Sequence, residues 1–581
     1  MEEKWVVLQK GADFAGMAER FGISPVTARL IRNREVTGDA AVEKYLNGGL
    51  ADLYDAHLLC GAARCVEILT EKIRQGKPVR IIGDYDIDGV MSTYILYRGL
   101  KRCGANVSTK IPDRMKDGYG INEHLIDEAY EAGMDTILTC DNGIAAIGEI
   151  AHAKELGMTV LVTDHHEIPY REEDGVRTYL RSAADVIVNP KQEECGYPYQ
   201  GLCGAAVAWK VICLLYESCG VPAEEAYEFL EEVAFATVGD VMNRILVKEG
   251  LRRIRHTKNP GMRALILQNQ LTPEQITAYH IGFVLGPCVN ASGRLETAQL
   301  ALQLFLQTDD ISALKIAEKL VELNAQRKDM TAEGVEEAKR IVEEGNAGEK
   351  VLVVYLPKVH ESLAGIIAGR IREAYSRPVF VLTKSEDGVK GSGRSIETYS
   401  MYEELCKCSH LFTKFGGHPM AAGVSMKEEN VGAFREAINH ECELTEDDFM
   451  PKIKIDIAMR ADYPTAALVR ELALLEPFGK SNVKPQFADR NLAVLRASVV
   501  GKNRNVLKLQ LQTERGTRVD AVYFGDVELW KTYYSEKYGA TEVLAALHGQ
   551  SNSIRMSVVY YPEINAYQGM ENIQLVIRNY K

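Results

Sequence analysis

No stretch of this chain reaches the roughly 18 consecutive apolar residues that a membrane-spanning helix needs. Its first residues, MEEKWVVLQKGADFAG, show neither a basic n-region nor an apolar h-region. The expectation is a cytoplasmic protein with no membrane partner. The 12 cysteines are scattered and never form a C-x-x-C pair, Cys406 and Cys408 being the nearest approach. That spacing excludes a zinc ribbon or a disulfide framework, and the thiols read as buried and reduced. Internal repeats and low-complexity segments are lacking too. What is present is globular: 581 residues, 46% apolar and 26% charged, with 68 Lys and Arg against 81 Asp and Glu for a net charge of −13. The apolar fraction excludes a disordered or collagen-like chain. At about 150 residues per domain the length allows several independent cores. The acidic balance argues against nucleic-acid binding by the whole surface but leaves room for a local basic groove.

Residues 1–75 carry apolar residues at helical spacing (FAGMAERFGISPVTARLI, DLYDAHLLCGAARCVEILTEKI) and no chemical motif, so they read as a helical scaffold. Over 76–305, short apolar strands alternate with amphipathic helices, the pattern of a parallel α/β sheet. Residues 306–347 lack proline and place apolar residues every three or four positions, which predicts a long connecting helix. A second, smaller α/β pattern occupies 348–445. From 450 to 581 the sequence turns β-rich, with alternation and turn residues suited to a small barrel.

The informative feature is where the acids sit. Three predicted strands run into Gly83-Asp84-Tyr85-Asp86-Ile87-Asp88-Gly89, Asp141-Asn142-Gly143 and Asp164-His165-His166-Glu167. The carboxyl ends of parallel strands share one edge, so these groups converge there. Carboxylates so crowded repel one another unless cations neutralise them. Asp and His together suit manganese or magnesium. Asp86 and Asp88 can address different ions and Asp141 can bridge them, the usual two-metal apparatus for in-line attack of water on phosphorus. Taken singly, each motif reads as a turn, a helix cap or a surface histidine pair; their joint appearance on successive strands reverses that reading.

DYDIDG, CDNG and TDHHE, in that order, resemble the DHH phosphoesterase superfamily. Within it, GDYDIDG, VNP at Val188 to Pro190 followed by LCGAAVAWK, VGD at Val238 to Asp240 and LGPCVNASGRL at Leu285 to Leu295 resemble the RecJ family of single-strand-specific exonucleases. The resemblance covers nearly the whole chain from about residue 50. It implies metal ligands at Asp86, Asp88, Asp141, His165 and Asp240, with Asp84 and His166 closing the site and Asp164 orienting a histidine by accepting its ring N–H. His166 is the expected group to polarise the scissile phosphate or protonate the leaving oxygen, because imidazole carries a proton near neutral pH. Asp84, Asp141 and His166 complete the catalytic set. Asp240 is followed by Val241-Met242-Asn243-Arg244, where many such sequences have a proline and an apolar residue.

Asn290, Ser292, Gly293 and Arg294 form a polar turn before a predicted helix, suited to phosphate oxygens. Residues 348–445 resemble the DHH-associated domain, through His360, Arg370, Ser392 and Arg394 in GSGRS, and Gly416-Gly417-His418; in the family this domain holds the nucleic acid and, by implication, a terminal 5′-phosphate. The tail resembles the family's OB-like domain. There Arg490, Arg496, Lys502, Arg504 and Lys508 supply charge, while Phe478, Tyr523 and Phe524 either stack on bases or belong to the core. Lys480-Ser481-Asn482-Val483 replaces the family's usual glycine-asparagine-proline turn.

The resemblance implies a metal-dependent exonuclease that degrades single-stranded DNA from the 5′ end to nucleoside 5′-monophosphates, in DNA repair and recombination. It uses two divalent cations, manganese or magnesium, and works beside a helicase and a single-strand-binding protein. Nothing in the sequence suggests an obligate dimer, so a monomer is expected. Two rivals were weighed: an oligonucleotide or cyclic-dinucleotide phosphodiesterase of the same superfamily, which needs no third domain, and a non-catalytic single-strand-binding scaffold, which would have lost metal-site acids.

Overall fold

The computed structural model describes residues 3–114, 117, 120–173, 176–240, 243–346, 348–440, 442–480, 482–501, 504–567 and 569–581. Its contacts divide into two units, Leu53–Met450 and a second built from Met1–Asp52 with Pro451–Lys581.

In the first unit, five strands lie in the order Val107–Lys110, Val79–Ile82, Thr136–Cys140, Thr159–Thr163, Val186–Val188, every pair parallel. Thr136–Cys140 is buried along its whole length, as a central strand with both faces covered must be. Helices Glu123–Glu131 and Ile147–Glu155 cover one face through Leu125, Ile126, Ile150 and Ala153. The sheet also packs against Ile87–Arg102 and Gly204–Cys219, which approach each other closely at Gly99; a Cβ there would stand 2.5 Å from Ile212 Cδ1.

The expected long helix runs over Asp310–Ile341, starting where the Asp309 side chain accepts from Ser312 N at 2.8 Å. Its 32 residues reach about 48 Å at 1.5 Å per residue. It packs on Pro260–Gln268 at one end and on Ala364–Tyr375 at the other. The accessory sheet that follows orders its strands Lys414–His418, Ala421–Met426, Gly388–Arg394, Val379–Ser385, Leu352–Tyr355, antiparallel except for the last pair.

In the second unit, Phe487–Val500 pairs with both Val506–Gln512 and Arg555–Tyr567, closing the order Phe487–Val500, Val506–Gln512, Arg518–Tyr523, Met570–Tyr580, Arg555–Tyr567 into a five-stranded barrel. The one parallel pair in this ring, Arg518–Tyr523 with Met570–Tyr580, and the helices Val527–Tyr538 and Ala540–Leu547 inserted before Arg555–Tyr567 give the OB topology. Closure removes the exposed strand edges that an open sheet of this size would carry.

The N-terminal scaffold expected over 1–75 divides. Lys4–Val7 pairs in parallel with Lys452–Ile455, and Met17, Ile23, Leu30 and Ile31 join one core with Leu472, Phe487 and Trp530. Residues from Leu53 onward, including helix Ala62–Arg74, belong to the other unit. Short amphipathic helices cannot bury their apolar faces alone, and the surface they use lies more than 400 residues away in sequence, where local spacing gives no sign of it. In the turn that departs from the family pattern, the buried Asn482 donates to Leu475 O at 2.7 Å and Pro477 O at 2.8 Å. Its Oδ1 accepts from Arg34 Nε at 3.0 Å and the Tyr45 hydroxyl at 2.8 Å, so this turn is tied to the N-terminal helices. Among the described residues no helix is long and apolar enough to cross a membrane.

Candidate active site

Three neighbouring strands of the parallel sheet deliver acids to one edge. Asp84 follows Val79–Ile82, Asp141 follows Thr136–Cys140, and Asp164 follows Thr159–Thr163. The tight exit after Val79–Ile82 requires Gly83, whose Cβ would fall 2.0 Å from Thr93 Oγ1. Asp141 itself sits at φ 59°, in the left-handed region that Asp tolerates better than most residues.

Two groups of metal-compatible atoms form there, each with its donor atoms within 4.8 Å of one another: Asp84, Asp86 and Asp141, and Asp141, His165 and His166. Asp141 belongs to both. His165 Nε2 stands 3.0 Å from Asp141 Oδ1 and 3.5 Å from Asp88 Oδ2. Asp84 Oδ1 is buried with no hydrogen-bond partner, and the buried Asp141 Oδ1 meets the His165 ring nitrogen. Burial first, and then the charge of Asp86, pushes the Asp84 carboxyl well above the usual carboxylate range. Asp141 is pushed the same way by burial and by Asp88, Asp86 and Asp84. Anions held this close, their donor atoms within 4.8 Å of one another, fit divalent cations.

The remaining acids are braced by backbone amides. Asp86 Oδ1 accepts from Asp88 N at 2.9 Å and Gly89 N at 3.1 Å, capping helix Ile87–Arg102. The buried Asp88 accepts from Gly204 N and Ala205 N, both at 2.7 Å, at the start of helix Gly204–Cys219. Asp164 Oδ1 accepts from His165 N at 2.7 Å and His166 N at 3.1 Å and lies 2.8 Å from His166 Nδ1, while Oδ2 accepts from Ile144 N at 2.9 Å. Burial raises the Asp164 carboxyl, but the bonds from His166 and from these amides outweigh it and hold it below its ordinary value. Asp164 thus grips the His-His segment and does not join either donor group. Asp240 is the last residue of helix Leu230–Asp240; its side chain, like Val241 and Met242, lies outside the described residues. Asn243 caps the next helix, Arg244–Ile254, accepting from Leu246 N at 3.3 Å.

Beside the acids is a cationic cleft of about 320 Å³, lined by Arg114, Arg294, Lys390, Ser392, Arg394 and Glu361 among others. The expected turn at 290–294 is instead the end of helix Gly286–Leu295. There Asn290 Oδ1 accepts from Ile87 N at 2.8 Å and Ser292 Oγ donates to Val289 O at 2.7 Å. The Ser292 proton and the Asn290 oxygen are thus engaged by backbone, because the helix end packs against the metal turn; a Cβ on Gly293 would meet Tyr85 O at 2.4 Å. Only Arg294 lines the cleft. It donates to Ser362 O at 2.8 Å, and burial together with Arg114 and Arg327 lowers its guanidinium to about 10, which still leaves it charged at neutral pH. Ser392 Oγ accepts from Arg394 Nη1 at 3.0 Å. His360 caps Glu361–Leu363, with Nδ1 2.7 Å from Ser362 Oγ. Arg370 is exposed, 3.5 Å from Glu373, and does not line the cleft. Gly416, Gly417 and His418 lie on strand Lys414–His418, where Gly416 pairs with Gly423 of the cleft lining.

Arg114 was missed by the sequence reading. Its guanidinium lies 4.9 Å from the centre of the Tyr85 ring, and it follows strand Val107–Lys110 at the same sheet edge as the acids. The signal was available in KIPDRMKDGYG, had cations as well as acids been sought at strand ends. In the barrel unit Phe478 and Tyr523 pack against the core, which is the safer of the two readings, whereas Phe524 is 66% exposed. Lys502 lies outside the described residues.

Comparison with known proteins places each segment. Residues 78–237 match the DHH family N-terminal domain, 348–444 the DHHA1 domain, and 455–579 the RecJ OB domain. The single-stranded-DNA-specific exonuclease RecJ of Bacillus subtilis is 32% identical over 99% of this chain and 70% of its own length. The Escherichia coli protein of the same name is 30% identical over 96% of each. The crystal structure of RecJ from Thermus thermophilus in complex with Mn2+ superposes with a TM-score of 0.81 at 28% identity, covering 100% of this chain and 79% of that one. The Mg2+ complex gives a TM-score of 0.74. A site of converging carboxylates and histidines, beside an arginine-lined cleft, on a chain that matches these relatives from end to end, leaves one assignment: the chain belongs to the RecJ family of single-stranded-DNA-specific exonucleases.

Proposed function

We propose that this protein is a metal-dependent exonuclease that hydrolyses single-stranded DNA from the 5′ end and releases nucleoside 5′-monophosphates. The observation that carries this reading is Asp141, whose buried carboxylate is shared by both groups of donor atoms. Asp86, Asp88, Asp141, His165 and Asp240 are the ligands that the family resemblance assigns, with Asp84 and His166 closing the site beside them. When bound, two manganese or magnesium ions supply an activated water and neutralise the charge that builds on the phosphoryl oxygens.

The protein's own groups then position and discriminate. Asp164 holds the His166 ring by accepting from Nδ1, and in its imidazolium form the ring would give the proton on Nε2 to the leaving oxygen. Arg114, Arg294 and Arg394, with Ser392, hold the terminal phosphate and so set direction. A walled cleft admits a flexible single strand and excludes a duplex by size. The barrel supplies a further surface for single-stranded DNA, and a helicase and a single-strand-binding protein deliver the strand during repair and recombination in the cytoplasm.

The test is a time course with manganese on single-stranded DNA labelled at the 5′ or the 3′ end, beside duplex DNA and the Asp141→Ala variant. The expected result is immediate release of the 5′ label as mononucleotide, stepwise shortening of the 3′-labelled strand, intact duplex and an inactive variant. Cleavage confined to oligomers of a few nucleotides, or binding without cleavage, would overturn it.

A further inference from the structure

Residues Ala278–His280, Ile281–Leu285 and Gly286–Leu295 form one continuous helical run whose middle third is a π-helix, an uncommon form that often marks function. Tyr279 and Phe283 project from it, 63% and 70% exposed, with ring centroids 5.1 Å apart and an interplanar angle of 29°. Two large aromatics stacked on each other in solvent leave apolar faces uncovered that a folded chain normally buries.

The run is fastened to the metal site along its other side. Gly282 faces Val238 Cγ1, which a Cβ would approach to 3.6 Å, on the helix that ends at Asp240. A Cβ on Gly286 would approach Ile87 Cδ1 to 3.1 Å, between Asp86 and Asp88, and Asn290 caps Ile87 N. The same run ends at Arg294, in the cationic cleft. From Phe283 to Arg294 the rise is about 16 Å at 1.5 Å per residue, a distance that a few nucleotides span. Charge completes the surface. Between Asn243 and Arg263 this acidic chain carries seven Lys and Arg against Glu249 alone; Lys248, Arg252 and Lys258 are exposed, with Arg252 Nε and Nη2 donating to Glu249 at 3.2 and 3.1 Å. Lys248, Arg252 and Arg255 recur at helical spacing, and Arg255 Nε donates to Ile276 O at 3.2 Å, joining this basic stretch to the start of the aromatic run. Aromatic faces beside a basic track are how proteins hold single strands irrespective of sequence.

We infer that Tyr279 and Phe283 form a base-stacking station for the single-stranded substrate, a few nucleotides from the cleaved bond, with Lys248 and Arg252 contacting the adjoining phosphates. This inference rests on the exonuclease reading above. Stacking on the protein replaces stacking on the neighbouring base, so the station holds an unpaired strand in register during successive cuts.

The experiment uses 5′-phosphorylated strands carrying one abasic site at successive positions, assayed with manganese on the wild type and on Tyr279→Ala/Phe283→Ala. In the wild type, kcat/KM should fall roughly tenfold when the abasic site occupies one or two particular positions, the loss typical of one stacked base. The double variant should be about tenfold slower on the intact strand, indifferent to an abasic site at those positions and unchanged on a dinucleotide too short to reach, while the conservative Phe283→Trp variant should keep the wild-type rate and position dependence. Lys248→Glu with Arg252→Glu should lower affinity for all sequences alike and flatten its salt dependence. Wild-type rates in the double variant would overturn the inference. So would an equal loss on every strand including the dinucleotide, which marks general damage. Failure of the wild type to cut any strand would instead sink the exonuclease reading; anisotropy binding across the same abasic series would then decide the stacking station by itself.

Discussion

Asp164 Oδ1 lies 2.8 Å from His166 Nδ1 while the same oxygen accepts the backbone N–H of both His165 and His166. One carboxylate therefore fixes the path of the chain through both histidines and the tautomer of the second. An ionised carboxylate only accepts, so the proton sits on Nδ1.

Asp164→Asn keeps the shape and offers an amide where three N–H groups and a ring N–H need acceptors. Turnover should fall by roughly 10–100-fold, with manganese stoichiometry retained. His166→Ala should lose turnover and keep metal affinity; isothermal titration with manganese beside the nuclease assay separates the two effects, and loss of metal binding in His166→Ala would make that histidine a ligand.

The crowded acids predict a protein that is less stable without metal than with it. Manganese should raise the Tm in a concentration-dependent way, since a ligand that binds only the folded state stabilises it, and chelation should reverse the rise. Asp141→Asn removes one repelled buried charge, so its metal-free Tm should equal or exceed that of the wild type, while manganese should no longer raise it. Gly204→Ala offers an independent check. Its Cβ would stand 2.7 Å from Asp141 Cβ, so activity should be lost through displacement of Asp141 even though no ligand is removed.

In the cationic cleft, Arg394→Ala should abolish any preference for a 5′-phosphorylated over a 5′-hydroxyl strand. Hydrogen bonds to charged groups contribute about 1.5–3 kcal/mol, so KM for the phosphorylated strand should rise roughly 10- to 100-fold. Arg370→Ala, at an exposed position outside the cleft lining, should change it little. Equal losses in the two variants would place the terminal phosphate elsewhere.

A buried acid pair away from the metal turn predicts the pH dependence of stability. Burial raises Glu231 to about 7, and burial plus the charge of Glu231 pushes Glu232 well above its usual range. Both sit on helix Leu230–Asp240, with Thr257 Oγ1 donating to Glu231 at 3.0 Å. The folded state thus binds protons that the unfolded state has released, and stability falls as pH rises from about 4.5 to 7. The slope from Glu231 should approach 1.4 kcal/mol per pH unit at most. Glu231→Gln should flatten that part of the curve in urea unfolding at pH 5, 6, 7 and 8; an unchanged slope would remove Glu231 as its cause.

The acids at strand ends, the His-His pair, the long helix and the closing barrel were legible because each follows from local periodicity and from the rule that parallel strands share a carboxyl edge. The choice of oxygens was not. Asn290 and Ser292 look like phosphate donors in a glycine-containing turn, yet the helix turns the Asn290 oxygen onto Ile87 N and spends the buried Ser292 hydroxyl proton on Val289 O. Arg114 and Tyr279 drew no attention as sequence, because an arginine in a loop and a tyrosine on a helix are common; each gains meaning from what stands beside it.

The sequence by itself therefore determined the chemistry of this protein: hard oxygen and imidazole donors in a fixed order, on a sheet whose edge gathers them. Tertiary structure decided which of those groups face the same space, which are consumed in capping helices, and that the first residues pack with the last. The reason is physical. Residue type and spacing set what a group can bind and which face of its own element it occupies, whereas burial, orphaned oxygens and shared charge arise only when elements distant along the chain exclude water together.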